Sequence, residues 1–202
     1  MWGSVSLYVA SFLRHYDASI DINLVKLVFP FMKIATNVTM PIGVRLAHRF
    51  GVRKVALSGT ALSVISVFAT SYITNFAGML IVYGILFGFA SGIIFVLPME
   101  AAWKYFPHKK GVTNGLIIGA FGMGTFIFNY VALAVVNPDN EKASVVADGT
   151  KYFTEDVYSK VPAMFRVLAG CYLGLGALGS LLLSTPRGKL LRSELWFLTS
   201  IF

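Results

Sequence analysis

The chain has one cysteine, Cys171, so it cannot close an internal disulfide. That cysteine lies in an apolar run, where a thiol packs as a small hydrophobe. Charge is scarce too: 13% of the 202 residues are Asp, Glu, Lys or Arg, while 56% are hydrophobic. At a mean hydropathy of +0.73, a soluble domain of this size would expose too much apolar surface. The three histidines, His15, His48 and His108, all fall at helix ends or in loops, and nearly all the acids lie in loops. A metal site or an acid–base pair at membrane depth is therefore not expected. No Gly-x-Ser-x-Gly, His-Glu-x-x-His or phosphate-cradling loop is present, so no catalytic residue, cofactor or enzymatic activity is assigned. Met1 is followed by Trp2-Gly3-Ser4 without a basic stretch, and no cleavable signal peptide is expected.

What the chain does have is long apolar runs. A spanning helix needs about 20 apolar residues. Five runs reach that length, at residues 24–47, 55–74, 76–98, 112–136 and 163–184. Residues 1–15 read as part of an earlier helix, ended by Arg14-His15-Tyr16-Asp17 and too short to span alone. The reading is an all-α membrane protein with a six-helix bundle over 1–185, a linker over 186–193 and the start of a seventh helix over 194–202. The net charge of +8 is carried in short loops between apolar runs, which fits a membrane surface rather than nucleic acid.

The basic loops alternate along the chain. Arg49, Arg53 and Lys54 form one, Lys104, Lys109 and Lys110 the next, and Arg187, Lys189 and Arg192 the last. Parity places all three on one side of the membrane. The opposite side has an uncharged loop near Asn75 and an acidic one over 137–162, with Asp139, Glu141, Asp148, Glu155 and Asp156. This asymmetry assigns the basic loops to the cytoplasmic-equivalent side of a multi-pass protein. It does not say which membrane.

Glycine recurs every fourth residue at Gly84, Gly88 and Gly92, then at Gly111, Gly115 and Gly119 with Gly122 and Gly124 beyond, and again at Gly170 and Gly174. Such spacing makes a flat groove on a helix in lipid. It serves either static packing or a surface on which helices slide.

Polar groups at membrane depth are the candidate site. Lys33 lies inside the second helix, beyond a kink expected at Pro30, and Asn37 shares its face one turn on, a face expected to look into the bundle. An ammonium there costs about 2.5–3.5 kcal/mol on insertion scales. It either binds an anion or couples to a proton, or it snorkels outward or pairs with an acid on a neighbouring helix. Arg166, at the outer start of the sixth helix, reads as an interface anchor or a ligand. Tyr83, Phe95, Asn129 and Tyr130 complete the list of candidate lining residues. In the first basic loop, Gly51 permits a tight turn, and Arg49 and Arg53 can donate to carbonyls at the end of an adjacent helix.

Together these residues resemble the major facilitator superfamily, whose loop between helices two and three reads roughly Gly-x-x-x-Asp-Arg-x-Gly-Arg-Arg. His48, Arg49, Phe50, Gly51, Val52 and Arg53 occupy that stretch here, with His48 where the family has Asp and Val44 at its first glycine. The finer resemblance is to the monocarboxylate transporter and oxalate/formate antiporter branch. It rests on Arg49-Phe50-Gly51-Val52-Arg53 and on Trp103-Lys104-Tyr105-Phe106-Pro107-His108-Lys109-Lys110-Gly111, followed by Asn114-Gly115 and Gly119-Ala120-Phe121-Gly122-Met123-Gly124. Phe95 stands where many of these proteins carry Tyr. The resemblance implies the N-terminal six-helix half of a twelve-helix carrier that moves a small organic anion by alternating access, with a proton or a counter-anion. His48, Arg49, Gly51 and Arg53 would form a conformational latch. The implied partners are the lipid bilayer, the anion, and either a missing C-terminal half or another membrane subunit. The alternative is a transport-inactive accessory or structural subunit.

Overall fold

The computed structural model describes residues 2–147 and 149–183. The expected linker, the seventh helix and the basic cluster Arg187, Lys189 and Arg192 lie outside the described residues. In chain order the helices are α1 (Trp2–Tyr16), α2 (Ile22–Lys26), α3 (Val28–Phe50), α4 (Val52–Thr70), α5 (Phe76–Met79), a π-helical segment (Leu80–Leu86), α6 (Phe87–Phe95) and α7 (Leu97–Tyr105). A 3-10 turn (Pro107–Lys109), α8 (Lys110–Val136), strands β1 (Val145–Ala147) and β2 (Thr150–Tyr152), α9 (Glu155–Tyr158) and α10 (Val161–Leu182) follow. Five continuous stretches are long and apolar enough to cross a membrane: Ile22–Phe50, Val52–Thr70, Phe76–Tyr105, Pro107–Val136 and Glu155–Leu182.

The breaks within spans have local causes. In the span Ile22–Phe50 the helix is interrupted at Leu27, between α2 and α3, three residues before Pro30. Pro30 falls in the first turn of α3 and has no N–H to donate to the preceding turn, where the break lies. Asp21 caps α2 by accepting from the Leu24 amide at 2.7 Å. In the span Phe76–Tyr105, Pro98 cannot bond the carbonyl of Ile94, so α6 stops at Phe95 and α7 restarts at Leu97 with the proline in its first turn. The same span widens at Leu80–Leu86, where the Phe87 amide reaches back five residues to the Val82 carbonyl.

Two helix pairs form the rigid frame. Where α3 crosses α6, the backbones nearly touch. A methyl group on Gly88 would lie 2.7 Å from the Met32 carbonyl oxygen, and one on Gly43 would lie 2.5 Å from that of Ile93. One on Gly92 would overlap Thr39 Oγ1 and the Thr36 carbonyl. This closeness brings Thr36 Oγ1 within 3.2 Å of Gly88 O and Thr39 Oγ1 within 3.2 Å of Phe89 O, beside the 2.8 Å bonds that the two hydroxyls donate within α3 to Met32 O and Ala35 O. The second pair is α4 against α10, where Gly176 admits Thr60, and Thr60 and Ser180 hydroxyls meet at 3.1 Å.

The main apolar core lies towards one end. Val5, Val9 and Leu13 of α1, spaced one turn apart, are buried with Val67, Met79, Tyr83, Phe165 and Leu168. Rings stack through this core, with Trp2 on Tyr83 at 5.0 Å and Tyr83 on Phe87 at 5.2 Å between centroids. The long loop after α8 carries an antiparallel hairpin, Val145 opposite Tyr152, that sequence reading did not foresee. It is tied down on α1: the Phe153 amide donates to Ser11 Oγ at 3.0 Å, and Tyr8 and Phe153 rings stack at 4.1 Å. Beside it, at the end of α1, the Ser19 amide and hydroxyl both donate to Asp17, holding that carboxyl below its ordinary range.

A smaller core of Ala47, Val52, Val55, Ala56 and Leu97 closes the other end. The basic loops meet there. Side-chain bonds join the end of α3 to α7, and α4 to the end of α10.

Candidate functional site

The structure separates the candidate residues into distinct places. Lys33 and Asn37 share a face of α3, but that face is exposed and does not look into the bundle as expected, because the small and hydroxylated residues Ala35, Thr36, Thr39, Gly43 and Ala47 take the packing side. Lys33 lies eleven residues after Ile22, about 16 Å along the span, and its ammonium stands 5.5 Å from the Phe29 ring centroid. Tyr83 is buried in the aromatic stack and faces neither solvent nor lipid. Phe95 packs edge-on against Phe121 of α8 at 5.1 Å. The Asn129 Oδ1 on α8 is buried without a hydrogen-bond partner among the described residues, while its neighbour Tyr130 is exposed. Arg166 donates from Nε to Ser71 Oγ at 3.4 Å and sits 5.1 Å from the Tyr72 ring centroid, which fastens α10 to the end of α4. Of the seven candidate lining residues, Lys33 and Asn37 are the two that share an exposed face.

The glycines divide in the same way. Gly88 and Gly92 are filled against α3, and Gly84 is in ordinary contact with Val28. On α8, a methyl added at Gly115, Gly119, Gly122 or Gly124 would meet nothing within 4 Å among the described residues. Helix α8 as a whole buries only Ala132 and Val136. Leu116, Met123 and Phe126 are 76%, 68% and 76% exposed, which leaves a broad apolar face without a covering helix among the described residues.

The basic end is built more tightly than the sequence suggested. Gly51 joins α3 to α4 with φ at 91°, a backbone conformation that a side chain disfavours, and its amide closes α3 on the Ala47 carbonyl at 2.9 Å. His48 Nε2 lies 2.6 Å from Glu100 Oε1, and Lys104 Nζ donates to the same oxygen at 2.8 Å. Arg53 Nε donates to the Leu183 carbonyl at 3.2 Å, just past the C-terminus of α10, and the Arg49 guanidinium lies 5.4 Å from the Phe50 ring. Sequence reading missed Glu100. The available signal was an acid at the foot of an apolar run with Lys104 four residues on, a spacing that puts both on one helix face. Trp103 Nε1 donates to Asn114 Oδ1 at 2.8 Å, which ties α7 to α8 across the 3-10 turn.

A six-helix architecture with five spans, a glycine-filled helix crossing and a basic interhelical turn agrees with a family match over residues 1–194, described as Major Facilitator Superfamily. The chain belongs to that superfamily. Its relatives include the apicoplast pyruvate carrier 1 of Toxoplasma gondii, 29% identical over 158 residues, covering 73% of this chain and 29% of the carrier. An uncharacterised MFS-type transporter of Escherichia coli (strain K12) is 26% identical over 117 residues, 57% of this chain and 29% of that protein. Monocarboxylate transporter 13 of Bos taurus is 24% identical over 88 residues, 44% of this chain and 21% of the transporter. The chain thus spans less than a third of the length of the curated relatives it matches. It is an integral, multi-pass membrane protein of a transporter family whose members are in general not enzymes.

Proposed function

We propose that this chain forms the N-terminal half of a carrier that moves a small organic anion, of monocarboxylate or oxalate/formate type, by alternating access. The observation that carries the reading is the uncovered polar face of α3. An ammonium about 16 Å into a span, exposed next to an amide and turned away from its own bundle, needs a polar or anionic counterpart. A second six-helix half closing over α3 and α8 would place Lys33 and Asn37 beside a central cavity, where the anion's charge supplies that counterpart. The names of the pyruvate carrier and the monocarboxylate transporter among the relatives support the substrate class. The basic end faces the cytoplasm or its equivalent, and the transported anion travels with a proton or in exchange for another anion.

The test is uptake of labelled monocarboxylates by the full-length protein, with Lys33→Ala and Lys33→Arg alongside. Loss of uptake in the alanine variant and partial retention in the arginine variant are expected. Undiminished uptake in Lys33→Ala removes this residue from the site. A full-length protein that moves no monocarboxylate or dicarboxylate supports the accessory-subunit reading instead.

A further inference from the structure

We propose that His48 and Glu100 form a proton-binding site at the basic end of the bundle, and that its occupancy sets how firmly α3 is fastened to α7. The inference needs only the described geometry and does not depend on which solute the carrier moves.

Glu100 is nine-tenths buried, and one of its oxygens takes both available donors, His48 Nε2 at 2.6 Å and Lys104 Nζ at 2.8 Å. The other oxygen, Oε2, is buried and has no partner among the described residues. Among the described residues the compensation of this buried carboxylate rests on two contacts, and burial makes each of them matter more. They differ in kind. Lys104 lies on the same helix, four residues on, so its bond ties no second helix to α7. His48 is the contact that crosses to another helix, and an imidazole is the side chain whose charge changes between about pH 5 and 8.

With the proton on, the crossing is a charge-assisted bond between imidazolium and carboxylate, roughly twice as strong as its neutral counterpart. With the proton off, Nε2–H still reaches the carboxylate, but as a neutral donor. The proton leaves to solvent, since the His48 side chain is 30% exposed. No other covalent change is involved. The fastening is therefore complete at acid pH and weakens as pH rises.

The charged groups on the elements that meet here are Arg45 and Arg49 on α3, Arg53 and Lys54 on α4, Lys104 on α7, and His108, Lys109 and Lys110 after it. Among these, His108 is the other histidine, so it must be controlled. His48 also stands immediately before Arg49 and Gly51, so a change at the crossing reaches the turn between α3 and α4.

The experiment is thermal unfolding of the protein in lipid nanodiscs between about pH 5.5 and 8. The wild type is expected to unfold at progressively lower temperature as pH rises. In His48→Asn, which keeps a neutral donor, this dependence should be lost, while His108→Asn and His15→Asn should keep it. A pH-independent wild type, or a His48→Asn variant with the wild-type dependence, overturns the proposal. Should His48→Asn fail to fold, a second readout uses spin labels at Arg49→Cys and Tyr105→Cys in a Cys171→Ser background. The distance distribution between them should broaden on raising pH, and an unchanged distribution at both pH extremes overturns the proposal equally. Transport is not read in either arm, so failure here leaves the carrier reading intact.

Discussion

The spans Phe76–Tyr105 and Pro107–Val136 carry the same sequence device, a glycine every fourth residue, and the fold uses it in opposite ways. On α6, Gly88 and Gly92 are pressed against the backbone of α3, and the space a side chain would need holds Met32 O, Thr36 O and Thr39 Oγ1. Threonine hydroxyls then come within 3.2 Å of the carbonyls of Gly88 and Phe89 across the crossing. On α8, Gly115, Gly119, Gly122 and Gly124 face no described residue. Identical spacing thus gives a closed joint in one helix and an open face in the next. The reason lies in the partner. Helix α3 offers small and hydroxylated residues, Ala35, Thr36, Thr39 and Gly43, at matching intervals, whereas no described helix presents such a strip to α8. Small residues permit close approach, but a second surface of the right shape is needed to use it.

The contrast is broken most severely at Gly92. Gly92→Leu should destabilise the bundle by about 3 kcal/mol or more, at the top of the overpacking range, because the clash is with backbone and a buried hydroxyl rather than a flexible chain end. Denaturation of the purified variant measures this. Gly51→Ala tests a third kind of glycine, one selected for backbone conformation. It should cost about 1–3 kcal/mol although open space surrounds it, since its φ is 91°. Should Gly51→Ala prove neutral, the turn between α3 and α4 is adaptable and cannot hold a latch. Thr39→Val separates close approach from the hydrogen bond it allows. It removes the hydroxyl's bond to Ala35 O at 2.8 Å together with its contact to Phe89 O at 3.2 Å while keeping the shape, and should cost only about 0.6 kcal/mol.

Much of this was legible in the residues. The five apolar runs, the alternation of basic loops and the Arg-Phe-Gly turn lead to a six-helix half-bundle without coordinates. Helix boundaries were less legible. Pro30 marks the interruption only roughly, since the break falls at Leu27, three residues earlier, in the turn where the proline's missing N–H would have bonded. The π-helical stretch at Leu80–Leu86 has no marker in an unbroken apolar run, and the hairpin at 145–152 lies in a loop whose sequence reads as irregular.

The site was the least legible part. Sequence spacing puts Lys33 and Asn37 on one face, but it cannot show which way Tyr83 turns, and that ring is in the core. His48 looked like the loss of an acid. Only the fold shows that an acid 52 positions away, Glu100, lies 2.6 Å from it. A contact between the ends of two different spans leaves no period in the sequence to read.

The comparison of the two glycine faces is tested most directly by Gly119→Leu measured beside Gly92→Leu in the same 202-residue chain, as a difference in unfolding midpoint. Gly119→Leu should lie within about 0.5 kcal/mol of the wild type, as a surface substitution does, while Gly92→Leu unfolds far more easily. Equal losses in the two variants, or the larger loss at Gly119, would contradict the account, because α8 would then be packed as tightly as α6.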